Sequence, residues 1–159
     1  MEELYLGTNH LTGSIPMYIS NASQLTVLGM SNNYFSGSIL DNLRNLRNLK
    51  FLDLASNNLT SSGMSGFLFS LKNCRVLEKF LFHSNPFISG ELPRVVGNVS
   101  SSLEEFSAYS CNIRSSIPSE IGNLSHLISI DLRGSKLIGQ IPTTIDGLEE
   151  LQSLSLEDN

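Results

Sequence analysis

The side chains of this 159-residue chain that could carry acid–base, nucleophilic or metal chemistry are few, and their spacing assembles no catalytic set. His10, His83 and His126 are isolated along the sequence. The carboxylates Glu104 and Glu105, or Glu149 and Glu150, are adjacent, and neighbours on a strand point to opposite faces, so neither pair can work on one substrate atom. The sequence contains no G-x-S-x-G elbow, no glycine run that could cradle phosphates, and no H-E-x-x-H or C-x-x-C metal spacing. These patterns indicate no enzyme, no metal and no cofactor. The chemistry left is non-covalent recognition by Phe51, Asp53, Lys79, Leu81, His83, Tyr109, Asp131 and Arg133, a mixture of aromatic, apolar and charged groups of the kind that carries interface energy.

What brings those residues together is a repeat. Units begin at Met1, Leu25, Leu49, Leu77, Leu103, Leu127 and Leu151, spaced 24 to 28 residues apart. Each carries the phrase L-x-x-L-x-L-x-x-N-x-L, as in Leu25, Leu28, Met30, Asn33, Phe35 and in Leu49, Leu52, Leu54, Asn57, Leu59. Apolar residues at the fourth and sixth places alternate with polar ones, the pattern of a short strand with one face in a core and the other in water. Strands of successive units then stack about 4.8 Å apart. Outward positions form rows: Gly7, Ser31, Ala55, His83, Tyr109, Arg133, Glu157, and beside it Tyr5, Gly29, Asp53, Leu81, Ser107, Asp131, Ser155, with Phe51 and Lys79 adjoining. The column Asn9, Asn33, Asn57, Asn85, Cys111, Ser135, Asn159 falls where the chain turns inward. A side chain there is expected to bond the buried backbone of its own and the neighbouring unit, since unpaired backbone groups are costly.

A second phrase follows in Thr12-Gly13-Ser14-Ile15-Pro16, Ser36-Gly37-Ser38-Ile39, Ser89-Gly90-Glu91-Leu92-Pro93, Ser116-Ile117-Pro118 and Gly139-Gln140-Ile141-Pro142. Its glycine permits a turn that other residues resist, and its proline stiffens the return. With this phrase the chain resembles the plant-type leucine-rich repeat of receptor-like kinases, receptor-like proteins and polygalacturonase-inhibiting proteins. Phe67-Leu68-Phe69-Ser70-Leu71-Lys72-Asn73-Cys74, Asn85-Pro86-Phe87, Gly97-Asn98-Val99-Ser100 and Gly122-Asn123-Leu124-Ser125 are similar to the ectodomain of the immune-receptor-like subfamily of receptor kinases. The resemblance implies an α/β fold: a right-handed leucine-rich-repeat solenoid with a parallel concave β-sheet and short helical or irregular convex returns. It makes residues 1–159 one array of six repeats and part of a seventh, an uncapped piece of a larger ectodomain.

The third unit lacks the glycine and proline phrase. Met64, Phe67, Leu68, Leu71 and Cys74 are instead spaced as one face of a helix after the candidate cap Ser62. The fourth unit has an extra residue before Gly90 and another in Ser100-Ser101-Ser102, which should bulge the loops without shifting the strand. Cys74 lies on a return and Cys111 in an inward turn, so the two are expected to be separate buried thiols, because pairing them would disturb the stack.

Acidic residues outnumber basic ones, with a net charge of −5, which opposes binding to nucleic acid. No apolar run is long enough to cross a bilayer, so no membrane contact by this segment is expected. Asn21, Asn58, Asn98 and Asn123 stand in N-x-S/T acceptor sequences, and three of them share one convex column. A sugar there would leave the concave sheet open. The resemblance implies recognition of a peptide or protein ligand, a co-receptor kinase as second partner, and a place on the extracellular side of the plasma membrane or in the secreted fraction. Catalysis in an intact receptor would belong to a kinase domain outside this chain. Some peptide-binding relatives hold a ligand carboxylate with an R-x-R pair; here Arg133-Gly134-Ser135 stands in that place and lacks the second arginine. A receptor-like protein or secreted inhibitor of a wall-degrading enzyme, or the repeat region of a cytoplasmic immune sensor, are the alternative readings; the regular glycine and proline phrase counts against the last.

Overall fold

The computed structural model describes residues 1–39, 43–60 and 64–159. Seven three-residue strands, Glu3–Tyr5, Val27–Gly29, Phe51–Asp53, Lys79–Leu81, Glu105–Ser107, Ser129–Asp131 and Ser153–Ser155, form one parallel sheet in chain order. Leu4, Leu28, Leu52, Phe80, Phe106, Ile130 and Leu154 are register partners along it. The longer third and fourth units therefore leave the sheet in step, their extra residues being absorbed by the returns.

Those inward residues make the core. Leu52, Leu54 and Leu132 are buried and Leu154, in the last unit, partly so, which confirms the register expected from the apolar alternation. In the middle of the array the core is aromatic. Phe80 packs against Phe67, Phe82 and Phe106 at centroid distances of 5.5, 4.8 and 5.7 Å. Phe67 comes from the helix Met64–Leu71, which buries Met64, Phe67, Leu68 and Leu71 as their spacing requires. Its candidate cap Ser62 lies outside the described residues.

The asparagine column ties each unit to the one before. Asn57 donates from Nδ2 to the carbonyls of Leu54 and Ala55 in its own turn and to Met30 in the preceding unit, and its Oδ1 accepts the Phe35 N–H at 3.0 Å. Asn33 and Asn85 repeat the arrangement. Cys111 and Ser135 keep the backward donation, to Phe82 O at 3.6 Å and Ala108 O at 3.4 Å. Asn9 bonds its own turn, through Leu6 O and Gly7 O. The residue before this column is left-handed in every unit: Thr8, Asn32, Ser56, Ser84, Ser110, Gly134 and Asp158 have φ between 51 and 58°. That conformation turns the chain inward at the asparagine, and all but Gly134 adopt it against the preference of L-residues.

The returns carry more than was expected of them. They are not merely helical or irregular: Thr12–Ser14, Tyr34–Ser38 and Asn58–Thr60 form a second parallel sheet, and Ser89–Gly90 pairs with Asn112–Ile113. The break between these two groups coincides with the extra residue before Gly90 and with Pro86, which has no N–H to give a neighbour. Beyond them the chain makes 3-10 helices at Met17–Asn21, Leu43–Asn45, Arg94–Asn98, Ser119–Asn123 and Thr143–Gly147. Pro16, Pro93, Pro118 and Pro142 precede four of them, with φ between −62 and −78° and carbonyls that accept the first helical bond. Gly97 and Gly122 are required by close approach. A β-carbon at either would sit 2.0 Å from Glu120 O or 2.5 Å from Thr144 O in the next unit.

Candidate functional site

The register fixes which outward side chains can meet. Asp53, Leu81, Ser107 and Asp131 are successive Cα partners, as are Phe51, Lys79, Glu105 and Ser129. Past the strand ends the ladder continues through Ser56 N to His83 O at 2.9 Å, Ser84 N to Tyr109 O at 2.8 Å and Ser110 N to Arg133 O at 2.8 Å. Ala55, His83, Tyr109 and Arg133 thus stand on consecutive rungs.

Rungs about 4.8 Å apart suit stacked rings. His83 and Tyr109 stack with centroids 4.1 Å apart and planes 12° from parallel. The Arg133 guanidinium carbon lies 5.3 Å from the Tyr109 centroid, within cation–π range. That guanidinium is held by Asp131: Nη2 reaches Oδ2 at 2.7 Å and Nε reaches Oδ1 at 3.0 Å. The Arg133 N–H also donates to Asp131 Oδ1, at 3.2 Å. Both faces of the Tyr109 ring are therefore engaged, one by His83 and one by Arg133.

Burial lowers the pKa of His83 below its usual 6.5, while the carboxylates of Asp53, Asp131 and Glu105 pull it the other way. Desolvation is the largest of these effects, so the imidazole of the stack is neutral at neutral pH. Lys79 pairs with Glu105 at 2.9 Å, an interaction that raises the lysine pKa, and Lys50 pairs with Glu78 at 3.0 Å. These exposed pairs edge the sheet and set its charge pattern more than its stability.

Of the eight residues singled out in sequence, Leu81, His83, Tyr109, Asp131 and Arg133 share a continuous patch. Lys79 borders it on the strand of Leu81, and Phe51 and Asp53 one unit earlier. Glu78, Glu105 and Lys50 were missed, although opposite charges one unit apart in the same column signal such pairs. His10 and His126 are exposed, away from the patch. Burial pushes the thiols up, to about 12 at Cys74 and about 11 at Cys111, which leaves both as inert core groups. Among the described residues no group of three or more His, Cys, Asp or Glu could hold a metal ion, and no helix is long and apolar enough to cross a membrane. Asn21, Asn98 and Asn123 each end a 3-10 helix and are exposed on the returns. Asn58 differs: it is partly buried in the second sheet, opposite Ser36. A hollow of about 160 Å³ between Ile117, Leu137, Ile138, Ile141 and Leu156 lies away from the patch.

Comparison with known proteins agrees with the repeat architecture. The leucine-rich-repeat family model matches residues 24–46, 48–74 and 102–124. Receptor-like protein 39 of Arabidopsis thaliana is 33% identical over 160 residues, taking in all of this chain and 15% of the relative. The Arabidopsis receptor kinase HAESA, solved with the peptide hormone IDA and the co-receptor SERK1, superposes with a TM-score of 0.86 at 26% identity, over 98% of this chain and 25% of that one. A plant ice-binding protein superposes with a TM-score of 0.87 at 24% identity, over 100% of this chain and 49% of that one, a likeness of fold alone. The chain thus spans a small part of the receptor-like protein it matches. By its repeat phrase and its sheet of stacked units the chain carries leucine-rich repeats, and in sequence it is similar to plant receptor-like proteins.

Proposed function

We propose that this chain is the ligand-recognising stretch of a plant cell-surface receptor ectodomain, and that a peptide or protein segment binds across the patch Leu81, His83, Tyr109, Asp131 and Arg133. The observation that carries the reading is the stack of His83, Tyr109 and the Asp131-held Arg133. It presents two aromatic edges and a guanidinium in fixed positions, so little side-chain freedom remains to be lost on binding. The receptor-like protein similar to this chain and the hormone-bound HAESA ectodomain support it. The extracellular side of the plasma membrane is the matching location. The acceptor asparagines at the ends of the 3-10 helices fit that reading, since sugars on them would point away from the sheet. A co-receptor kinase ectodomain is the second partner in this reading, and catalysis belongs to neither face of this array.

The test is selection of a random peptide library against the 159-residue chain, followed by calorimetry of a selected peptide on variants. Tyr109→Ala and Arg133→Glu are each expected to weaken binding by about 2 kcal/mol or more, the range of interface hot spots. Arg75→Glu, on a return, should leave it unchanged. Equal affinities for wild type and both sheet-side variants would place recognition on another surface.

A further inference from the structure

The returns carry a charge pattern of their own. Arg44 and Arg47 stand five and two residues before Leu49, and Lys72 and Arg75 stand in the same two places before Leu77. Two adjacent units are thus basic in both columns, and residues 43–48 and 64–76 contain no carboxylate. All four cations are exposed, and among the described residues none of them forms an ion pair. Asn73 Nδ2 donates to Arg44 O at 3.4 Å, which joins the two returns into one surface. In the sixth unit the same two places are acidic, Asp146 and Glu149.

The arginines also decide what can cover this surface. Asn21, Asn45, Asn73 and Asn123 share the column four residues before the next leucine. Ser23 and Ser125 complete an N-x-S acceptor at the outer two, whereas Arg47 and Arg75 abolish it at Asn45 and Asn73. The basic stretch is therefore bare of N-linked sugar in a row whose neighbours can carry one. Arg47 lines an open cleft of about 500 Å³ and Lys72 and Arg75 line another of about 540 Å³. The acceptors Asn21 and Asn98 lie at these clefts, so sugars on them would frame the cations from both ends. The helix Met64–Leu71 adds an apolar group: Phe69 is 64% exposed, and the Lys72 ammonium lies 5.9 Å from its ring centroid.

We propose that the returns of the second and third units are a docking surface for an acidic segment of a partner protein, which sets carboxylates against Arg44, Arg47, Lys72 and Arg75 and an apolar side chain against Phe69. It is a second surface, apart from the sheet patch, and it stands independently of the ligand reading above. Four unpaired cations raise a local positive potential that attracts and orients a negative partner. The acids of the sixth unit do not cancel it, because three rungs of about 4.8 Å exceed the screening length of about 8 Å at physiological salt. Arginine beside an exposed aromatic ring is a composition enriched at protein interfaces. Phe69 favours a peptide over a polyanion without side chains, since a peptide can bring an apolar group along with its carboxylates.

The test is fluorescence anisotropy of a labelled glutamate-rich peptide bearing a single leucine, titrated with the 159-residue chain. Its glutamine counterpart and labelled polygalacturonate are the other two probes. Saturable binding is expected for the acidic peptide and none for the glutamine one. The double variant Arg47→Glu and Arg75→Glu changes exposed sites only, so it should fold as wild type by circular dichroism and weaken the acidic peptide by about tenfold or more. Phe69→Ser should weaken the peptide as well, while Tyr109→Ala, on the sheet, should leave it bound as in wild type. Equal binding of the two peptides, an unchanged affinity in the double variant, or a loss in Tyr109→Ala would overturn the inference. So would polygalacturonate bound as tightly as the peptide with no effect of Phe69→Ser on either, which would make this a polysaccharide site. Self-association of the chain that disappears in the double variant would also overturn it, by seating Asp146 and Glu149 of a second copy on the cations. In each of these cases the sheet patch is judged separately, by the dependence of library-selected peptides on Tyr109 and Arg133.

Discussion

Between the third and fifth units the return side changes from an α-helix, Met64–Leu71, to 3-10 turns, and its strand pairing is interrupted. Over the same units the sheet side keeps every partner in register. The difference lies in what each side must satisfy. Sheet strands are bonded on both sides and cover a dry core, so adding one residue would reverse which side chains face in. Return segments border water, and a loop there can lengthen at small entropic cost. Length variation is therefore pushed to one face, and the face with constant geometry is the one that can present a patterned surface.

Paired substitutions can break or sharpen this contrast. The largest effect is expected at the aromatic core behind the sheet: Phe80→Ala should cost about 3–5 kcal/mol, because four packed rings leave no room to relax into the cavity. Phe69→Ala, at a return position 64% exposed, should fall within about 0.5 kcal/mol of wild type. Urea midpoints of the two variants measure this, and similar shifts would end the distinction between the faces.

A smaller effect is expected in the asparagine column. Asn57→Ala leaves the Phe35 N–H and the Met30 carbonyl without their partner and should cost about 1–3 kcal/mol. Asn9→Ala removes bonds at an exposed turn and should cost much less. Equal denaturant midpoints for the two would remove the inter-unit role assigned to this column.

The smallest concerns the left-handed residues. Ser56→Gly relieves a backbone cost of about 1–2 kcal/mol and adds a glycine entropy penalty of about 0.5–1 kcal/mol, so a gain of up to about 1.5 kcal/mol is expected. Thermal unfolding of the variant checks the sign; a clear loss would show that the seryl side chain contributes more to the turn than its conformation costs.

Much of the sheet side was legible because its determinants are side chains on a fixed ruler. Leu28, Leu52 and Ile130 announce the strand, and Asn33, Asn57 and Asn85 the turn that follows. The second sheet was not legible. Its pairs, such as Gly13 with Phe35 and Gly37 with Leu59, join backbones whose side chains carry no alternation. The left-handed column escaped notice because Thr8, Ser56 and Ser110 are forced into it by the turn and not by their own preference. In the site, the rows could be read from spacing, and so could the closeness of His83 to Tyr109. The rotamer that folds Arg133 back onto Asp131 could not, since an exposed arginine has many conformations and its choice depends on the carboxylate two residues away.

The backward reach of each asparagine also bears on how such arrays change over generations. Asn57 and Asn85 touch the preceding unit only through main-chain atoms, which every unit possesses whatever its outward side chains. A recombination that removes, doubles or exchanges one whole unit joins two ends that still fit. The rung occupied by Ala55, His83, Tyr109 or Arg133 can then be reshuffled as a block, and a lineage can sample new binding surfaces without first repairing its scaffold.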